Sequence, residues 1–237
     1  MKISSTKNFG VDKLKILVYG EPGTGKTSLA KTLNEPVLIV SAEGGLLSLA
    51  DSAIDVIDIT TDDEGQVIPE SKRLERLQQV YKFICSPEQV EKYKWIFIDS
   101  LTEVSQALIS QLQKEFPERK DTLPMYGENN KRLKSLVKSF RDLPYYNVVM
   151  TALPSTEKDE NGCRFQGISV VGRLKEEIPA FFDEVLYLAV VEKDDEQKRV
   201  LYCTKEERLV SKDRSGKLNR TEEPNLGTIA QKIKGEL

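Results

Sequence analysis

No histidine occurs anywhere in the 237 residues. Its absence excludes Ser-His-Asp triads, Cys-His nucleophile pairs and every histidine-ligated metal site. Cysteine is scarce as well. Cys85, Cys163 and Cys203 lie far apart without metal-ligand spacing, so they read as unbonded thiols of a reducing compartment. The charge balance is −3, from 35 Lys and Arg against 38 Asp and Glu. No strongly basic field surrounds the chain, and any contact with nucleic acid has to come from local patches. No apolar run approaches the length of a bilayer span and the N-terminus has no signal-peptide core, so no membrane contact and a cytoplasmic location are expected. No internal repeat, low-complexity tract or compositional break divides the sequence. A single domain over residues 1–237 is expected.

What is present is more specific. The stretch ILVYGEPGTGKTSLAKTL opens with the apolar run Ile16-Leu17-Val18 and closes in a helical pattern through Leu29, Ala30 and Leu33. Between them, Gly20-Glu21-Pro22-Gly23-Thr24-Gly25-Lys26-Thr27 matches G-x-x-x-x-G-K-[ST] at every fixed position. Accident supplies such a match in about one chain of this length in a hundred, and the flanking strand and helix patterns make it rarer. Glycines let the backbone curl with its N–H groups turned onto phosphate oxygens. A helix N-terminus adds positive partial charge. Lys26 is spaced to reach the β- and γ-phosphates and Thr27 to bind Mg²⁺ through its hydroxyl. Gly20, Glu21, Pro22, Gly23, Thr24, Gly25, Lys26, Thr27 and Ser28 are therefore expected to hold ATP with Mg²⁺.

Apolar strand patterns at 14–19, 37–40, 54–59, 95–98 and 148–150 alternate with helical ones at 25–33, 69–85, 101–116 and 129–143. This alternation predicts an α/β fold with a mostly parallel sheet and helices on both faces. Residues 154–173 are polar, contain glycine and show little periodicity. They read as a long loop of the kind that is usually functional or disordered. Residues 181–191 and 199–204 read as an antiparallel β-hairpin around an acidic turn at 193–197, and 226–233 as a short helix.

Two carboxylates stand out beyond the phosphate loop. Asp99 ends the apolar run Trp95-Ile96-Phe97-Ile98, and ligands of open α/β sheets sit at the C-terminal ends of strands. Asp99 is read as the second Mg²⁺ residue beside Thr27, the alternative being a helix N-cap. Glu43 follows the strand pattern 37–40 in the sequence VLIVSAEGG. If that strand neighbours the first, Glu43 faces the γ-phosphate and can activate water as general base. The alternative is a solvated turn residue. Ser100 occupies the position after the metal Asp, and the next acid is Glu103.

A strand ending in Ala-Glu soon after a phosphate loop, followed by an "IDS" strand, resembles the RecA family of DNA recombinases. The short chain carrying GEPGTGKT, SAEGG and FIDS is most similar to phage-encoded RecA-core ATPases of single-strand annealing, the Sak-type group of AAA-type phage NTPases. The resemblance implies a RecA-like P-loop core with Lys26 and Glu43 as catalytic residues. It implies a single-stranded-DNA-dependent ATPase acting in recombination or annealing. Its implied partners are single-stranded DNA, a single-strand-binding protein and further copies of the chain, with ATP at subunit interfaces. Its location would be the host cytoplasm if the chain is phage-encoded. Residues 154–173 correspond to a DNA loop, with Lys158, Arg164 and Arg173 on phosphates and Phe165 stacking on bases. Lys131, Arg132 and Lys134 offer a second basic cluster, otherwise a solvated helix face. In the basic segment at 205–237, Lys212 and Arg214 correspond to residues that reach the neighbouring subunit's ATP; otherwise they belong to a solvated tail.

The sequence also departs from that pattern. Thr151 and Leu153 stand where RecA-type proteins place an amide that senses the γ-phosphate. The arm at 1–13 is too short for the helix through which recombinases polymerise, so annealing is expected rather than strand exchange. An AAA+-type remodeller or interaction module is the alternative reading. A small-molecule kinase is a third, opposed by the lack of a compact arginine lid.

Overall fold

The computed structural model describes residues 13–117, 123–158, 162–193, 196–206 and 208–237. Nearly all of the expected N-terminal arm lies outside these residues. Strand β1 (Lys15–Tyr19) has four of its five residues buried, the mark of a strand covered on both faces. The phosphate loop follows, and then a 3-10 helix at Thr27–Thr32. This helix is shorter and tighter than the one expected at 25–33. Thr32 ends it, donating its hydroxyl to the Leu29 carbonyl at 2.7 Å as such side chains do when they compete with the backbone.

Strands β2 (Val37–Ser41) and β3 (Asp55–Asp58) come next. Helices α1 (Arg73–Ile84) and α2 (Pro87–Lys92) lead to β4 (Trp95–Asp99), which is buried throughout. Helix α3 (Leu101–Glu115) starts directly after it, and α4 (Leu123–Arg141) returns to β5 (Asn147–Ala152). Strands β6 (Pro154–Lys158) and β7 (Arg164–Ile168) form a separate two-stranded sheet. The chain then enters β8 (Glu184–Lys193) and β9 (Glu196–Tyr202), two short strands β10 (Lys212–Asp213) and β11 (Thr221–Glu222), and α5 (Leu226–Lys234).

The main sheet runs β11-β9-β8-β1-β5-β4-β2-β3, with β10 also paired to β8. The pairs from β8 to β3 are parallel, while β8–β9, β9–β11 and β8–β10 are antiparallel. This is the α/β architecture expected, including the C-terminal hairpin. Alternate residues of the central strands serve two cores. Helices α1, α3 and α4 cover Leu17, Tyr19, Ile96, Ile98, Val148 and Met150. On the other face the 3-10 helix and α5 cover Ile16, Val18, Trp95, Phe97, Val149 and Leu188. Fully burying each such Leu or Ile contributes roughly 1.5–3 kcal/mol, so the sheet is the rigid body on which the loops at its end are mounted.

Two expectations are corrected. Residues 154–173 do not form one long loop: 154–158 and 164–168 pair as a β-hairpin from Pro154–Ile168 to Lys158–Arg164. Its strands were not visible as strands because the hairpin forms a sheet of its own, and only its foot at Ile168 enters the core. Its intervening sequence does contain Asn161-Gly162, a short-range hairpin signal. The second correction concerns β2. It pairs with β3 and β4, and both β4 and β5 separate it from β1.

Candidate nucleotide site

The phosphate loop turns over the C-terminal end of β1. Its first residue is pinned from two sides. Gly20 N donates to the Ala152 carbonyl of β5 at 3.3 Å. Its Cα lies so close to β8 that an added Cβ would collide with the Leu188 carbonyl oxygen, so no larger residue fits. Thr24 closes the loop by donating its backbone N–H and its hydroxyl to the Glu21 carbonyl, at 3.3 and 2.9 Å. Gly25 adopts φ +100°, a conformation open to glycine at no steric cost.

Lys26 is buried, and its Nζ donates to the carbonyls of Gly20 at 2.8 Å and Glu21 at 3.1 Å. The ammonium therefore lies within the curl of the loop. Burial lowers its pKa from the ordinary lysine value, opposed by the negative charges of Glu43, Asp99 and Glu21. Thr27 donates its hydroxyl to Asp99 Oδ2 at 2.5 Å. Asp99 is 3% exposed, and its other oxygen accepts from the Thr151 hydroxyl of β5. The Asp99–Ser100 peptide is cis.

This donor set fits Mg²⁺. A hydroxyl and a carboxylate oxygen are hard oxygen ligands, held together before any metal arrives. Mg²⁺ normally takes one or two carboxylates and completes its shell with water and substrate phosphates. Among the described residues no cluster of three or more Cys, Asp or Glu side chains forms a protein-only metal cage, so a site completed by phosphate is the arrangement the residues support.

A cleft of about 640 Å³ opens above the loop, lined also by Glu43, Glu103 and Arg199. Its size falls within the range of small-molecule sites. Glu43 reaches it although β2 is not the neighbour of β1. The parallel register sets Ser41 level with Asp99, so the turn after β2 emerges beside the metal pair.

Residues 12–215 match the family model described as an AAA domain. The chain belongs to this AAA domain family. No curated protein matches its sequence significantly. Among solved structures it is similar to a KaiC-like protein, PH0186, from the hyperthermophilic archaeon Pyrococcus horikoshii OT3. That match has 17% identity and a TM-score of 0.41, and covers 84% of this chain and 81% of the other.

Three residues in or behind the cleft of this AAA domain were not placed there by sequence reasoning. Thr151, considered only as a missing amide, is buried behind the cleft and hydrogen-bonds the Asp99 carboxylate. Glu103 sits in the first turn of α3, its backbone N–H directed at the Ser100 hydroxyl. Ser100-x-x-Glu103 is the pattern of a helix capping box. Burial first, and the Glu43 carboxylate second, raise the pKa of Glu103 above the usual range. Arg199 of β9 lies against Gly25, its Nε 3.3 Å from where a Cβ would stand. Only the β8–β9 register could have revealed it.

The residues expected on DNA separate into two groups. Lys158 and Arg164 are exposed and directly cross-strand on the β6–β7 hairpin, with half-buried Phe165 one residue further along opposite Glu157. Arg173 and Lys131 are exposed. Arg132 instead pairs with Glu115 and Glu128 at 2.9 and 2.8 Å, and Lys134 with Glu177 at 2.6 Å. Lys134, Lys138 and Arg141 also approach the Phe181 ring, at 5.7, 5.0 and 5.7 Å, as cations do on an aromatic face. Much of the basic surface of α4 is thus engaged within the fold. Lys212 and Arg214 lie beside the start of β8, at the end of the sheet away from the phosphate loop. Lys212 donates to the Pro179 and Phe182 carbonyls, and Arg214 pairs with Asp183 at 2.7 Å. No helix among the described residues is long and apolar enough to cross a membrane.

Proposed function

We propose that the protein is a Mg²⁺-dependent ATPase whose nucleotide state governs contact with single-stranded DNA, in annealing or recombination alongside a single-strand-binding protein. One observation carries this reading. The phosphate loop, the Thr27–Asp99 pair and the carboxylate of Glu43 meet at one cleft, and the chain leaves that cleft through β5 directly into a hairpin tipped by Lys158 and Arg164. Like charges placed directly opposite on a hairpin are unfavourable, and an anionic ligand between them removes the penalty.

Lys26 and the loop's N–H groups bind the phosphates, and Thr27 and Asp99 hold the metal. Bound Mg²⁺ neutralises phosphate charge. Glu43 takes the proton from the attacking water at its carboxylate. Glu103 lines the same cleft, its carboxyl pKa raised by burial and by the nearby Glu43 charge. On the hairpin, Lys158 and Arg164 contact phosphates and Phe165 offers a face for stacking. Arg173 and Lys131 extend that surface. Lys212 and Arg214 would act on a neighbouring subunit's ATP only after leaving their present partners, and the proposal does not depend on them.

Membership of the AAA domain family favours a second reading, in which the same cycle acts on a protein client. ATP hydrolysis measured with and without single-stranded DNA, on the wild type, Glu43→Gln and a Lys158→Ala/Arg164→Ala double variant, separates them. The proposal expects DNA to raise the wild-type rate about tenfold or more. It expects Glu43→Gln to lose at least a hundredfold, and the double variant to keep basal hydrolysis without the stimulation. Basal hydrolysis indifferent to DNA moves the function to the protein client.

A further inference from the structure

The β8–β9 hairpin extends beyond the sheet over the phosphate loop. The last residue of β1, Tyr19, pairs with Tyr187, so β8 continues past β1 from Leu188 onward. Leu188 pairs with Leu201 and Val190 with Arg199. Alternate residues of a strand share a face. Leu188 and Leu201 belong to the core beneath the phosphate-loop helix, so Val190 and Arg199 continue that face into the open cleft. Val190 is 43% exposed.

Among the described residues Arg76, Arg132, Arg141, Arg214 and Arg220 each pair with a carboxylate. Arg73, Arg164, Arg173, Arg199 and Arg208 have no ion pair there, and of these Arg199 is the one that lines the cleft, its side chain without a hydrogen bond. Its guanidinium lies beside Gly25, with Nε, Cδ and Cζ at 3.3, 3.6 and 3.7 Å from where a Cβ would stand. The hairpin touches the loop a second time where the Leu188 carbonyl abuts Gly20. A guanidinium presents a planar set of donors suited to phosphate oxygens, and here it is delivered by the same chain that supplies the loop.

We propose that Arg199 binds the phosphate chain of the nucleotide held in its own subunit, making the β8–β9 hairpin a cis-acting clamp over the phosphate loop. This rests on the nucleotide-site reading above and adds to it a ligand contact from outside the phosphate-loop motif. A charge-assisted hydrogen bond contributes roughly 1.5–3 kcal/mol, which corresponds to about a 10- to 150-fold change in affinity at 25 °C.

The test is equilibrium binding of a fluorescent ATP analogue to the full chain with Mg²⁺, on the wild type, Lys26→Ala, Arg199→Ala and Arg199→Lys, with melting curves confirming that each folds. Arg199→Ala is expected to bind at least tenfold more weakly, with Arg199→Lys between it and wild type. Mixing Arg199→Ala with Lys26→Ala should restore nothing, because the clamp acts within one chain. Recovery of tight binding in that mixture would show the arginine reaching a neighbouring subunit, overturning the cis assignment. Wild-type affinity in Arg199→Ala, with Lys26→Ala still defective, would remove Arg199 and leave the nucleotide site intact. Wild-type protein that fails to bind the analogue overturns both readings.

Discussion

At the N-terminal end of the sheet, cations are used up inside the fold. Lys15 donates to the carbonyls of Leu143 and Tyr146 at 2.9 and 2.7 Å. Lys212 is held by the carbonyls of Pro179 and Phe182, and Arg214 by Asp183. Burial pushes the Lys15 pKa down to about 8, the carboxylates of Asp183 and Asp142 opposing it. At the other end Lys26 also donates to two carbonyls but lines an open cleft, and among the described residues the Arg199 side chain beside it has no ion pair or hydrogen bond. Lysine and arginine are present at both ends, so residue type does not separate the binding charges from the structural ones. Strand direction does, because the turns that follow parallel strands all open at the same edge.

The largest test of this contrast exchanges the two ends. Lys26→Ala should weaken ATP binding by a hundredfold or more, beyond any stability lost with its hydrogen bonds to the Gly20 and Glu21 carbonyls. Lys212→Ala should cost stability alone, leaving ATP affinity within about twofold. Its vacated carbonyls would lose roughly 1–3 kcal/mol of stability, read by denaturant titration. A Lys212→Ala defect in binding without loss of stability would place that lysine in the nucleotide machinery.

A smaller effect is expected at the metal carboxylate. Thr151→Val keeps the shape of β5 and removes the hydroxyl that Asp99 accepts. Hydrolysis should fall about tenfold and the Mg²⁺ concentration for half-maximal activity should rise, while binding of metal-free ATP stays unchanged. An unaltered Mg²⁺ requirement would make Thr151 a packing residue only.

A further effect, on stability rather than on activity, lies at the structural end. Glu184 is 1% exposed, and burial first, then the neighbouring Asp213 carboxylate, push its pKa up to about 8 from 4.5. Between those values the folded chain holds a proton that the unfolded chain has released. Stability therefore falls as pH rises from about 4.5 to 8, by at most roughly 1.4 kcal/mol per pH unit from this group. Glu184→Gln removes the titration, so between pH 5 and pH 8 its melting temperature should drop less than that of wild type. Equal drops would mean that Glu184 is already ionised in the fold.

The same contrast explains what the sequence made legible. The phosphate loop was readable because its chemistry is local: eight consecutive residues build it. Asp99 and the strands 95–99 and 15–19 were readable from uninterrupted apolar runs, which a doubly covered parallel sheet requires. Strand order was not written locally, so the placement of Glu43 hung on whether β2 neighbours β1, and two strands intervene. Arg199 depends on a hairpin register, and Glu103 was noted only as the next acid after Asp99, since nothing local shows that the first turn of α3 faces the cleft. Arg132 and Lys134 looked like an open basic cluster because their acidic partners, Glu115 and Glu177, are distant in sequence.

Thr102, the second residue of α3, has a role that no motif announces. Its hydroxyl accepts from Leu153 N at 2.9 Å and donates to the Ser169 carbonyl at 2.8 Å. Leu153 and Ser169 are the two feet of the β6–β7 hairpin, themselves joined by a Ser169 N to Leu153 O bond of 2.7 Å. Thr102 stands three residues after Asp99. The hairpin thus has no loose ankle where it leaves the sheet: both feet are tied to one hydroxyl on the helix that begins at the metal carboxylate. A shift at that helix start therefore reaches both feet of the hairpin through a single hydroxyl.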